Sequence, residues 1–191
     1  MASPNFDALN IRVSKLVGDA ISTATTAGDK WSSGQRDNWL NAACRRMYDE
    51  AIANDDQNYL RGYINTESQT LSASVKTLSS WTGGVGRIFQ AYNTTDEEIV
   101  RPRTNDLEQE ILNGNNIYIN SGTNAQYYTL NNATFKLHGG TATSAVQLTY
   151  AKLHTDLAAN DAGGAGDFVF PSQYFERILE EAYVVAKAEG A

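Results

Sequence analysis

Two histidines, one cysteine and several gatherings of carboxylates are the side chains of this sequence whose types could do chemistry. His138 or His154 could act as a general acid or base and Cys44 as a thiolate nucleophile, and a serine, a histidine and an aspartate together would make a hydrolytic triad. Their spacing argues otherwise. His138 falls in a predicted hairpin and His154 in a predicted loop, neither within a motif, and Cys44 lies on the apolar stripe of a predicted helix as a small core residue. The glycine-rich stretches at 82–87 and 163–167 lack the Lys-Ser/Thr that reaches a nucleotide's phosphates, and neither opens a helix after a buried parallel strand, so both read as flexible corners. Carboxylates gather at Asp96-Glu97-Glu98 and at Asp156, Asp161 and Asp167 without the spacing of a calcium loop, which predicts a solvated face. No catalytic residue, no cofactor and no metal is expected, and the chain is not expected to be an enzyme.

Charge narrows the partners. The 191 residues carry a formal net charge of -7 with a pI near 4.8. The densest basic clusters are Arg45-Arg46 and Arg101-Pro102-Arg103, too few cations to neutralise a run of phosphates. An acidic surface repels a passing duplex instead of holding it. Ten Tyr and three Trp against six Phe favour surfaces that are apolar on one side and wet on the other, as at interfaces, although such rings also cap ordinary strand faces. The single cysteine excludes an intrachain disulfide, and the first residues read as neither a signal peptide nor a basic leader, so folding in a reducing cytoplasm is expected. The sequons at Asn93 and Asn132 then read as incidental, and no stretch approaches a membrane span.

The elements that must position these residues follow from hydrophobic period. Phe6, Leu9, Val13, Leu16, Val17, Ala20 and Ala24 predict a helix over 6–24 with Arg12, Lys15 and Asp19 outward, and Gly28 suits an αL stop. Ser32 with Gln35 makes a capping box for a second helix whose stripe is Trp39, Leu40, Ala43, Cys44, Met47, Tyr48 and Ala51, with a short continuation through Tyr59, Leu60, Tyr63 and Ile64. The period then falls to two. Leu71, Ala73 and Val75 alternate as a strand, "RIFQAY" and "EEIV" follow as strands around the turn "NTTDEE", Asn105 caps a short helix, and "IYI" at 117–119 is a brief strand. "QYYTLNNATFKLHGG" predicts a hairpin in which Tyr128 and Leu130 alternate in, Asn131-Asn132 turn, and Phe135 and Leu137 alternate out again, and Val146, Leu148 and Tyr150 share one face of a last strand. The stretch from His154 to Phe170 is too long for a simple connection and is expected to be mobile or ordered by contact with something else.

A closing helix follows Pro171, with Ser172 as its expected cap. The fold class is therefore α+β: N-terminal helices at 1–68 and a C-terminal helix at 172–191 form a helical bundle, with an antiparallel β lobe containing a short helix inserted at 69–152 and an acidic, glycine-rich loop at 153–171.

Several stretches in this order resemble the head-to-tail connector (adaptor) proteins of tailed bacteriophages. "VSKLVGDAIST" then "WSSGQRDNWLNAACRRMYDEA" resembles their two-helix start, "YYTLNNATFKLHG" and "LTYAKLHTDL" their tyrosine-led hairpin and following strand, and "FPSQYFERILEEAYVVAKAE" their proline-led closing helix. The resemblance covers most of the chain from about Val13 to Ala188, and only a few residues follow the closing helix, where some adaptors carry a longer C-terminal extension. It implies a virion structural protein of the neck, made in the host cytoplasm, whose copies form a ring, commonly of twelve subunits. Such a ring binds the portal protein on one side and a tail or nozzle protein on the other, while DNA passes through its lumen without sequence-specific binding. A β-rich virion module recognising a glycan or host surface is the alternative that the tyrosines and tryptophans leave open. On the closing helix, Tyr174, Ile178, Ala182 and Val185 centre the apolar stripe, whereas Val184 faces away among Arg177, Glu180 and Lys187 with Tyr183 at the edge. Tyr183, Val184 and Lys187, with Thr155, Asp156 and Asp161 of the loop, are the candidate assembly interface.

Overall fold

The computed structural model describes residues 6–103, 126–157 and 172–191, and the fold is α+β. The chain divides into two compact units: residues up to Tyr63 together with those from His154 onward, and Ile64–Leu153. The expected helix at 105–114 and the strand at 117–119 lie outside the described residues.

In the first unit, α1 (Phe6–Leu16) buries Phe6, Leu9 and Val13. It stops well before the expected Ala24. Gly18, at φ 71°, turns the chain, with the Gly18 N–H bonding to Lys15 and the Asp19 N–H to Ser14, the closure that a glycine just past a helix permits. Leu16 and Ala20, expected on the stripe, are exposed as a result, and Asp19, expected outward, is only 3% exposed.

Asp19 and Arg36 then organise the loop that follows. The Asp19 carboxylate accepts from the backbone N–H groups of Asp29, Lys30 and Trp31 at 2.8–3.4 Å. Gly28 is needed for this approach, since a Cβ there would lie 1.9 Å from Asp19 Oδ2; its role is close packing and not the αL stop expected. Arg36, fully buried, donates to the carbonyls of Trp31, Ala24 and Thr26 and to Asn10 Oδ1.

The second helix, α2 (Ser33–Asn54), begins at the expected capping box, with Gln35 N–H on Ser32 Oγ at 3.2 Å and Gln35 Oε1 on the Ser32 N–H at 2.9 Å. All seven residues of its stripe are buried. A single turn, α3 (Gln57–Leu60), follows; Tyr63 and Ile64 do not extend it, and the β unit starts at Ile64, earlier than the expected residue 69. The last helix, α4 (Phe175–Ala188), is entered through a 3-10 turn at Ser172–Tyr174, and its N-cap is Tyr174 without a side-chain cap, in place of the expected serine. α1, α2 and α4 pack on one another.

The second unit is a seven-stranded sheet in the order β1-β7-β3-β4-β5-β6-β2, made of β1 (Ile64–Thr70), β2 (Val75–Thr77), β3 (Val85–Asn93), β4 (Glu98–Pro102), β5 (Tyr127–Asn131), β6 (Thr134–His138) and β7 (Ala145–Lys152). It is antiparallel except for β4 and β5, which pair in parallel, a departure from the wholly antiparallel lobe expected. The continuous strand expected over 71–75 is a tight turn instead, with Ala73 and Ser74 both at positive φ and Ser72 and Val75 exchanging backbone bonds. One face of the sheet buries Val100, Tyr128, Phe135, Leu137, Val146, Leu148 and Tyr150 around Trp81. Each such side chain contributes about 1.5–3 kcal/mol when withdrawn from water. Asn93 is also fully buried, bonded to Gln126 and Asp96, so that sequon is closed to modification.

The β5–β6 hairpin turns at Asn132-Ala133, at φ 45° and 62°, one residue later than expected, because Asn131 pairs with Thr134. Leu130, expected inward, lies at the strand end beyond the core and is 45% exposed. Two consecutive positive φ angles define a turn that favours Asn-Gly. Ala133→Gly should therefore stabilise the protein by about 0.5–1 kcal/mol, the relief of a left-handed alanine less the added entropy of glycine in the unfolded chain. A higher urea midpoint with unchanged slope is the expected readout, and a lower one would contradict this account of the turn.

Candidate assembly interface

The closing helix has a buried side and a charged side. Phe175, Ile178, Leu179, Ala182 and Ala186 are buried, whereas Tyr174 and Val185, expected at the centre of the stripe, are half-buried. Tyr174 is held by its hydroxyl, which donates to Asp56 at 2.9 Å, and by its ring, set edge-on to Tyr59. At the other end, the indole N–H of the fully buried Trp39 donates to Glu189 at 2.7 Å. On the outer side, Arg12 pairs with Glu176, Glu50 with Arg177 and Arg46 with Glu181. These ion pairs are exposed, and each is worth less than about 1 kcal/mol, so they orient the helix more than they stabilise it.

The candidate residues separate within this setting. Tyr183 is half-buried with the Lys187 ammonium 5.4 Å from its ring centroid, a cation–π contact that engages both side chains within the chain. Val184 is different. At 56% exposed it is a large apolar side chain turned to solvent. Asp161 lies outside the described residues.

Thr155 and Asp156 belong to a segment strapped along α2. Asn41 donates to the Leu157 carbonyl at 2.7 Å and accepts the Leu157 N–H at 3.0 Å, and Arg45 grips Asp156 through both Nε and Nη2. Thr155 and Asp156 are both exposed, and the bonds from Asn41 and Arg45 fix this part of the expected loop along α2. The adjacent arginines of α2 thus hold one candidate group each, Arg45 the Asp156 segment and Arg46 the Glu181 turn of α4. Sequence reading missed Asn41 because a polar residue on a buried stripe gives no hint of which backbone it will pair.

His154 anchors the same strap from beneath. Its Nδ1 shares a hydrogen bond with the Tyr63 hydroxyl at 2.7 Å, and its Nε2 is buried 3.9 Å from Asp156 Oδ1. Burial raises the Tyr63 pKa and pushes Tyr48, which packs against both rings, up to about 12, so these hydroxyls stay protonated. Burial lowers the His154 pKa below its ordinary 6.5, with Asp156 opposing the shift. The unfolded chain therefore takes up the proton first, and stability present above pH 6.5 is lost as pH falls below it. Between about pH 7.5 and about pH 5.5 the urea midpoint should fall more in the native chain than in His154→Asn, which cannot titrate. Equal falls in both would show that this ring is not the source.

The Cys44 thiol is buried and its pKa is pushed far up by desolvation, opposite to what a nucleophile needs. His138 is stacked on Tyr127 at 4.5 Å and bonded to Thr129. Among the described residues, no group of three or more His, Cys, Asp or Glu is placed to hold a metal ion, and no helix is long and apolar enough to cross a membrane. No protein-family model matches the chain, and no curated protein matches it.

Proposed function

We propose that this chain is a head-to-tail adaptor of a tailed bacteriophage, a virion structural protein of the neck whose copies form a ring joining the portal to the tail, with DNA passing through the lumen. The observation that supports the reading best is how the chain is shared between its units. α1 and α2 come from its start, α4 from its end, and residues 64–153 form a β unit between them. This order of helices, β unit and closing helix follows the order of the stretches on which the resemblance rests. The exposed Val184 adds an apolar contact point on the closing helix. The work of such a ring is mechanical, with no bond made or broken.

Charge favours the same reading. The helical unit carries fifteen Asp and Glu against nine Lys and Arg. A channel wall of that sign limits phosphate binding, so DNA passes without being held.

The test is titration of purified portal particles with the subunit, followed by sedimentation. Saturable co-sedimentation at a fixed ratio is expected, with weak retention of duplex DNA at moderate salt. Failure to sediment with the portal, together with selective binding to a glycan array, would replace this reading by the β-rich recognition module. Tight DNA binding that weakens steeply with salt would remove the channel argument.

A further inference from the structure

Along α4 the charges are engaged almost one by one. Glu176, Arg177 and Glu181 are in ion pairs, Lys187 lies over Tyr183, and Glu189 accepts from Trp39. Among the described residues, Glu180 is the one charge of this helix without such a partner. Val184, one turn further along the same exposed side, is 56% exposed. The helix therefore presents an unpaired carboxylate and an apolar side chain, separated by about 6 Å along its axis.

The sheet presents the counterpart. On β4, Val100 is 2% exposed and faces the core, so Ile99 and Arg101 face outward together. Ile99 is 63% exposed, the highest value among the large exposed apolar residues. Arg101 is exposed and makes no salt bridge among the described residues. Alternate residues of a strand stand about 6.6–6.8 Å apart, which matches the helical spacing. Charge is also divided between the units. The described residues of the β unit hold six Lys and Arg against four Asp and Glu, and those of the helical unit nine against thirteen.

We propose that the outer face of β4 in one copy docks on the exposed side of α4 in a second copy, with Ile99 against Val184 and Arg101 against Glu180. This contact deepens the ring reading and rests on it. Its two halves are different patches of the same chain, so it is heterologous: each copy offers one half to each neighbour, which generates a ring when the rotation closes.

Cysteine pairing tests the geometry directly. Ile99→Cys and Val184→Cys subunits, mixed at high concentration under mild oxidation, should give a disulfide dimer containing one of each, while either alone stays monomeric. Cys44 is buried and does not compete. The double variant should give a ladder of higher oligomers. Arg101→Glu in the Ile99→Cys partner should lower the yield about tenfold, and Glu180→Arg in the other should restore it. Absence of the mixed dimer, equal dimers from each single variant, or a charge reversal that leaves the yield unchanged would overturn the contact. Portal particles that recruit the subunit without any Ile99–Val184 crosslink would overturn the contact and leave the adaptor reading standing. Crosslinking without recruitment would support the contact and count against that reading.

Discussion

Arg36→Met should cost the helical unit about 3–5 kcal/mol, the penalty for removing one member of a buried, hydrogen-bonded charge set. Arg36 is fully buried, and its guanidinium reaches Asn10 and Trp31 at 2.8 Å each and two further carbonyls, of Ala24 and Thr26. Burial lowers its pKa, while Asp19 and Asp37 act in the opposite sense and keep it charged. Methionine fills the space of the stem but leaves the carbonyls without donors and the two carboxylates without their cation. Lysine should rescue little, because an ammonium cannot spread its donors across the planar fork that these acceptors fit. Trp31 and Trp39 lie in this unit, so urea unfolding followed by tryptophan fluorescence reads the effect. A loss below about 1 kcal/mol would show that the loop does not depend on Arg36.

Val184→Asp should leave the fold intact and cost the assembly about a hundredfold in affinity. The side chain is 56% exposed, so the free subunit should unfold at the same denaturant concentration within error. Against a neighbour it would bury a carboxylate beside Glu180. An unpaired, desolvated charge of this kind costs on the order of 3 kcal/mol, which is about a hundredfold in a dissociation constant. Unchanged folding with lost self-association and lost portal binding is the expected pattern. Unchanged assembly would return α4 to the role of a core element.

How much of this was legible in the sequence depended on whether the signal was local. The seven-residue stripe of α2 and its Ser32–Gln35 cap were readable because a long helix repeats its pattern and the capping pair sits within one turn. The alternation of Val146, Leu148 and Tyr150 on β7 was readable for the same reason. Asp19 and Arg36 were not, because their acceptors and donors are loop backbone groups many residues away, and nothing in a side chain's identity says which carbonyls it will meet. The hairpin slipped by one residue because Asn131 and Asn132 both tolerate a positive φ, and strand pairing chose between them. Parallel pairing of β4 with β5 is likewise a long-range choice.

The candidate interface divided along the same line. Val184 could be seen from helical spacing alone. Thr155 and Asp156 looked like free loop positions, but Asn41 and Arg45 fix that segment to α2. Ile99 and Arg101 were missed: the "EEIV" strand was legible, but which of its sides faced the core was not until Val100 was seen buried.

The most direct measurement is the location of the protein in intact particles. Purified virions labelled with gold-tagged antibody against this chain should show the label at a single place, the neck between capsid and tail, with the copy number of a ring by quantitative mass spectrometry. Label at the tail tip or fibres, or absence of the chain from purified virions, would contradict the adaptor account.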